Sequence, residues 1–228
     1  IGSCSLLVAS PELAEDFESY PIGPISGQVT STAGLKDRWV GNGSAEIVEG
    51  GDGKVLRVLP DGQWGSVAFD LSSYNSPFTG NEGILGSAAG SNLFISFYLE
   101  FESTTAEKAQ AYFALSESPG TEQGVLFGQT WNSRFFSGAF GKPSEVPLET
   151  GANLFLIHLQ RQGGGSVAAR VYKNPDHPFS TPLSEQTPIV TLWPKETEFR
   201  FLQVKANANS FLVDSIRIDT DPEDVFPD

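Results

Sequence analysis

The sequence predicts an all-β chain folded as two packed antiparallel sheets, and three observations carry that prediction. Short runs of alternating or β-branched residues succeed one another from residue 13 to residue 218, with no stretch that keeps the period of a helix. The 24 Gly and 15 Pro are spread between those runs, as turns joining short strands require. The chain also opens on Glu15-Asp16-Phe17-Glu18-Ser19-Tyr20-Pro21-Ile22-Gly23 and closes on Phe211-Leu212-Val213-Asp214-Ser215-Ile216-Arg217-Ile218, a bracket expected of first and last strands lying side by side.

In chain order, strands are predicted at 13–19, 45–49, 54–59 and 64–70, with Gly50-Gly51-Asp52-Gly53 and Pro60-Asp61-Gly62 as turns. The Ser-, Gly-, Asn- and Pro-rich stretch 72–92 reads as a long surface loop. In Leu93-Phe94-Ile95-Ser96-Phe97-Tyr98-Leu99-Glu100-Phe101 every odd position is apolar, which assigns the odd face to a core. Further strands are predicted at 110–116, 123–129, 134–140, 153–161, 166–173, 187–192, 198–205 and 211–218. Gln162-Gly163-Gly164-Gly165-Ser166 joins two of them as a hairpin loop, and Asn174-Pro175-Asp176-His177-Pro178 is a turn. About a dozen strands without a helix make two packed sheets.

The 228 residues fit one domain, with 17 Phe, 4 Trp and 5 Tyr to fill one large core. No repeat of about 20–50 residues suggests a solenoid or propeller. A formal net charge of -14 argues against nucleic acid or an anionic membrane as partner and fits solubility or cation binding. Cys4 is the single cysteine, so neither a disulfide framework nor a zinc cluster is expected. Residues 1–12 read as a leader or an edge segment: the end of a processed secretion signal, a lipoprotein-like attachment box, an edge strand or an expression remnant. Residues 13–221 form the sandwich and 222–228 a C-terminal tail. No run approaches the about 18 apolar residues of a membrane span.

The ordered series DFESYPIG, AEIVEGGDGKVLRV, NLFISFYLEF, NLFLIHLQRQGGGSVAARVYKNP, FRFLQV and FLVDSIRIDTDPEDV resembles the concanavalin A-like lectin/glucanase superfamily. More narrowly it is similar to LamG-like extracellular domains of bacterial surface proteins, over residues 13–225. The resemblance implies a jelly-roll sandwich with one concave and one convex sheet, a secreted or cell-surface setting and a role with glycans. It also implies a structural calcium ion on the convex side, held by Asp16, the Gly53 carbonyl of Asp52-Gly53-Lys54, and Asp214. The residues themselves agree in one respect. Asp214 alternates in phase with Leu212, Ile216 and Ile218, which aims a carboxylate at an apolar face, where it needs a partner. A hard cation is one such partner; backbone amides, an arginine, or a bulge that turns Asp214 outward are the others.

Catalytic patterns are missing. The Glu-x-Asp-x-x-Glu strand of the related glucanases does not occur, and retaining hydrolysis needs paired carboxylates about 5–5.5 Å apart. His158 and Tyr172 echo alginate lyases of similar fold, but Leu156 stands where those carry Gln and the Arg-Glu-Leu-Arg strand is not found. No nucleophile elbow, phosphate loop or His-Glu-x-x-His is present. Saccharide binding needs exposed rings for C–H faces and planar polar groups for hydroxyls. Trp131, Asn132 and Arg134 supply both in one cluster, and Tyr98, Glu100, Arg170 and Tyr172 lie on the less apolar phase of their strands, where they would line a concave face. The opposing reading packs Trp131, Phe135 and Phe136 into the core. Trp39, Trp64 and Trp193 are expected as core or loop anchors.

The expectation is therefore a non-catalytic, lectin-like module for polysaccharide or glycan, with a structural calcium. The alternatives are a structural or adhesive subunit that self-assembles through the N-terminal segment around Leu6-Leu7-Val8, and a divergent polysaccharide lyase or hydrolase.

Overall fold

The computed structural model describes residues 13–29, 32, 40–41, 45–60, 65–71, 85, 89–104, 111–118, 123–129, 135–138, 144–176, 181–207 and 209–227. Its strands are β1 Leu13–Glu15, β2 Gly23–Pro24, β3 Val40–Gly41, β4 Ala45–Glu49, β5 Lys54–Val58, β6 Gly65–Asp70, β7 Asn92–Phe101, β8 Ala111–Ser116, β9 Val125–Gln129, β10 Ser137–Gly138, β11 Gly151–Arg161, β12 Val167–Lys173, β13 Val190–Leu192, β14 Phe201–Ala206 and β15 Phe211–Asp219. Only two single 3-10 turns, Gly163–Gly165 and Leu183–Glu185, interrupt the β structure among the described residues.

The strands form two antiparallel sheets. A nine-stranded sheet runs β13-β12-β11-β7-β15-β5-β4-β2 with β1 added beside β15, and a six-stranded sheet runs β10-β9-β8-β14-β6-β3. The neighbours in space are mostly not neighbours in sequence, which is the crossing pattern of a jelly roll. As the bracket of end segments predicts, Leu13 pairs with Ile218 and Glu15 with Ile216.

Alternation builds the core. Leu93, Ile95, Phe97, Leu99 and Phe101 of β7 are fully buried toward the six-stranded sheet, as are Phe155, Ile157 and Leu159 of β11. Phe97 stacks on Phe113 of β8 at a centroid distance of 4.1 Å, and Phe155 meets Phe127 of β9 at 4.9 Å, so the two sheets interlock through rings.

Several expected elements differ in extent. β1 stops at Glu15 because Phe17 takes φ 60, and the Tyr20 N–H then closes a turn on the Phe17 carbonyl. The strand expected at 134–140 is reduced among the described residues to Ser137–Gly138 and a single antiparallel bridge from Phe135 to Pro147. Residues 222–227, set apart in the sequence as a tail, pack back on the outer face of the nine-stranded sheet. There Val225 and Phe226 join Phe94, Leu156, Tyr172 and Leu183 in a second apolar cluster. The Ser96 hydroxyl donates to the Val225 carbonyl, and Arg217 Nη1 donates to the Phe226 carbonyl at 2.9 Å. No helix among the described residues is long and apolar enough to cross a membrane.

Candidate functional site

The outer face of the nine-stranded sheet carries two cavities, bordered by the two ends of the C-terminal segment. Pro222 lines one and Pro227 the other.

The first is a groove of about 510 Å³ over β7, β11 and β12. Register places its chemistry in cross-strand rows. Asn92, Gln160 and Ala168 form one row, Phe94, His158 and Arg170 the next, and Ser96, Leu156 and Tyr172 the third. Each row has its side chains on the face away from the core, because the core takes the intervening positions. His158 stacks on Phe94, with ring centroids 4.6 Å apart and planes 17° from parallel. Asn92 donates its amide N–H to the Gly90 carbonyl at 2.8 Å, which turns its Oδ1 to the imidazole, so His158 Nε2 is the donor in their 2.8 Å bond. Burial, reinforced by the Arg170 charge, pushes the His158 pKa from 6.5 down to about 4, and the ring is neutral at physiological pH. Arg170 Nη1 donates to Gln160 Oε1 at 3.2 Å, and Gln162 Nε2 donates to the same oxygen at 2.9 Å. Tyr172 is buried under the C-terminal segment, and that burial raises its phenol pKa.

The second cavity, about 620 Å³, is acidic. Asp16, Glu18, Asp52, Glu100 and Asp214 line it, with Tyr98 beside them. Burial comes first in raising the Asp214 pKa, and the charges of Glu18 and Asp16 add to it, whereas the Ser215 N–H, donating to Asp214 Oδ1 at 2.7 Å, opposes the rise. Glu18 Oε1 accepts the Lys54 N–H at 2.7 Å. A Cβ at Gly53 would lie 1.9 Å from this oxygen and displace the Glu18 side chain, and the Gly53 φ of 152 strains any other residue, so the position favours glycine.

The calcium set expected at Asp16, Gly53 and Asp214 is partly assembled. Asp16 and Asp214 face one cavity, but the Gly53 carbonyl accepts the Gly50 N–H at 2.6 Å. No three Asp, Glu, His or Cys side chains converge as metal ligands among the described residues. These protein groups alone supply fewer than the 6–8 oxygens that calcium takes.

Strict alternation would aim Asp214 at the core; the structure corrects this with a bulge, one of the alternatives open for that residue. Asp214 pairs with Tyr98 and Arg217 with Ser96, so β15 carries one extra residue against β7. Ser215, at φ 50, is the bulge. It shifts the alternation by one, leaving Leu212 and Asp214 half-buried on the outer face while Ile216 and Ile218 are in the core. A second correction concerns the two sides of the sandwich. Tyr98 and Glu100, expected on a glycan-binding concave face, share the acidic cavity with Asp16 and Asp214, while Arg170 and Tyr172 lie in the groove on the same sheet face. Trp131, Asn132 and Arg134 lie outside the described residues. So do the N-terminal segment 1–12 and the tryptophans Trp39 and Trp64.

Sequence reasoning missed Gln160 and Asn92, and it set His158 aside. The signal was present in part: Asn92 shares the alternation phase of Glu100 in β7, and His158 and Gln160 alternate with the buried Ile157 and Leu159 of β11. It also placed Trp193 as an anchor, whereas the indole is 53% exposed.

No protein-family profile and no curated protein matches the sequence. Solved structures do match. A sialidase aligns over 95% of this chain at TM-score 0.55 and 8% identity, with this chain spanning only 19% of the sialidase's length. The alginate lyase Aly36B, solved as a mutant in complex with alginate tetrasaccharide, aligns over 92% of this chain and 98% of its own, at TM-score 0.53 and 15% identity. An endo-beta-1,4-glucuronan lyase from the fungus Trichoderma reesei aligns over 96% and 99%, at TM-score 0.53 and 10% identity. At these identities the likeness is one of fold, a two-sheet antiparallel β-sandwich of jelly-roll type.

Proposed function

We propose that this chain is a non-catalytic saccharide-binding module and that the groove over β7, β11 and β12 is its binding site. The observation that carries the reading is the lining of that groove. Planar hydrogen-bonding groups, the amides of Asn92 and Gln160 and the guanidinium of Arg170, surround the half-buried His158 ring, above an apolar floor to which the buried Phe94 and Tyr172 belong. Such groups suit the alternating hydroxyls and C–H faces of a sugar. Two of the solved structures of similar fold are named for enzymes of alginate and glucuronan, which supports a saccharide as the ligand class. A LamG-like placement and an extracellular setting belong to the same reading.

A glycan array and polysaccharide pull-down test it, using wild type, Gln160→Ala and Trp131→Ala with melting temperatures as a folding control. The expected outcome is binding weakened about threefold to tenfold by Gln160→Ala, the worth of one or two hydrogen bonds. Loss on Trp131→Ala with Gln160→Ala unchanged would move the site elsewhere, and a blank array would end the reading. Release of shortened or unsaturated products would overturn its non-catalytic part.

A structural calcium belongs to the same proposal, supported by Asp16 and Asp214 facing one cavity, where burial first and then the Glu18 and Asp16 charges raise the Asp214 pKa. A chelator is expected to lower the melting temperature of wild type and to leave Asp214→Asn unaffected. Equal responses would remove the ion from the account.

A further inference from the structure

The charge of the groove sets it apart from the rest of the molecule. The chain has 28 Asp and Glu against 14 Lys and Arg, yet no carboxylate lines the groove among the described residues. On the same sheet face the neighbouring cavity is lined by five.

Arg161 and Arg217 donate to backbone carbonyls. Arg57 pairs with Glu46 and Glu102, Lys173 with Glu149, and Arg200 with Glu198. Arg170 has no carboxylate partner among the described residues, and the bond that holds it comes from the neutral amide of Gln160. With His158 neutral beside it, Arg170 is the one charged side chain among those lining the groove. A guanidinium with donors to spare, held by one edge in a half-buried site, presents a fork that matches a carboxylate.

Trp193 adds an independent observation. Val190 and Leu192 of β13 are buried in the core, while Thr191 opposite Arg170 is on the outer face. Trp193, the residue after β13, is exposed, and Pro194 disfavours helical backbone there. Trp193 follows Leu192, which pairs with Ala169 next to Arg170, so an exposed ring stands at the end of the edge strand that flanks Arg170.

We infer that the groove reads an acidic saccharide, with Arg170 taking the carboxylate of a uronate residue and Trp193 stacking under the sugar next to it. The inference rests on the saccharide reading above and names its ligand class. The acidic cavity on the other side of the C-terminal segment repels the same polymer, so the chain leaves the groove over the β13 edge.

Isothermal titration tests this with tetrasaccharides of alginate, glucuronan and polygalacturonate, each paired with its carboxyl-reduced counterpart of equal length. Wild type is expected to prefer at least one uronate over its reduced partner by about tenfold or more, with the preference shrinking as salt rises. Arg170→Gln should erase that preference, bringing the uronate down to the affinity of its reduced partner. Trp193→Ala, at an exposed position where folding is not at risk, should weaken both members of the pair about threefold to tenfold and abolish the change in tryptophan emission on binding. Equal wild-type affinity for uronate and reduced forms would overturn the acidic ligand and leave the saccharide reading standing. Binding of neither form of any pair, together with a blank array, would remove both. A preference that survives Arg170→Gln would take the carboxylate away from Arg170, and unaltered binding by Trp193→Ala would remove the second subsite.

Discussion

His158 shows at the scale of one residue how the groove is tuned. An imidazole in water titrates near 6.5, but packed on Phe94 and next to the Arg170 charge it titrates at about 4. The folded state therefore holds fewer protons than the unfolded chain between those values. The stability that neutral His158 contributes is fully present above about pH 6.5 and is lost as pH falls toward 4. Urea unfolding at pH 7.5 and pH 4.5 is expected to show this loss in wild type and a smaller one in His158→Gln. An undiminished loss in the variant would place the acid sensitivity elsewhere. Glu15 runs the other way. Fully buried, it accepts from the Phe17 N–H, the Tyr20 hydroxyl and the Thr32 hydroxyl, yet burial outweighs those donors and raises its pKa, so its contribution weakens as pH rises through the folded value.

Among the elements, β15 has the largest part in arranging this face. Its first half pairs with β5 and its second half with β1, and the change of partner falls at the bulge. An ordinary strand would send Asp214 inward; the extra residue Ser215 turns it to the acidic cavity and gives Ile216 and Ile218 to the core. A non-glycine residue in the left-handed region costs about 1–2 kcal/mol, and a β-branched one more. Ser215→Gly is therefore expected to raise stability by up to about 1 kcal/mol, and Ser215→Val to lower it by more than about 1 kcal/mol, both read from denaturant midpoints. Equal stability of the two would mean that the bulge relaxes when its residue changes.

For the whole molecule, the outer face of the nine-stranded sheet is completed by the chain's last residues. Phe226 and Val225 cover Phe94, Leu156 and Tyr172, which would otherwise form an exposed apolar patch beside the groove. Phe226→Ala is expected to cost about 3 kcal/mol or more, in the range for a buried Phe, and to raise binding of a hydrophobic dye in native conditions. A loss below about 1 kcal/mol with no added dye binding would show that the segment rests on the sheet without stabilising it.

By itself the sequence determined the all-β class, the bracket of neighbouring end strands and most strand positions. Alternation is a local property, and it assigned the odd positions of β7 to the core although Phe94 and Ser96 on the other phase are buried too. It also marked Arg170 and Tyr172 as outward-facing, because a half-buried strand has only two faces to offer. The tertiary structure alone decided which outward residues meet. Non-consecutive strands bring Asn92, Gln160 and Arg170 together across three strands, and no spacing along the chain encodes that neighbourhood. It decided too that Asp214 faces outward, since one inserted residue reverses a period of two. The burial of residues 225 and 226 and the exposure of Trp193 came from the same source: a side chain's exposure depends on what the remainder of the chain lays over it.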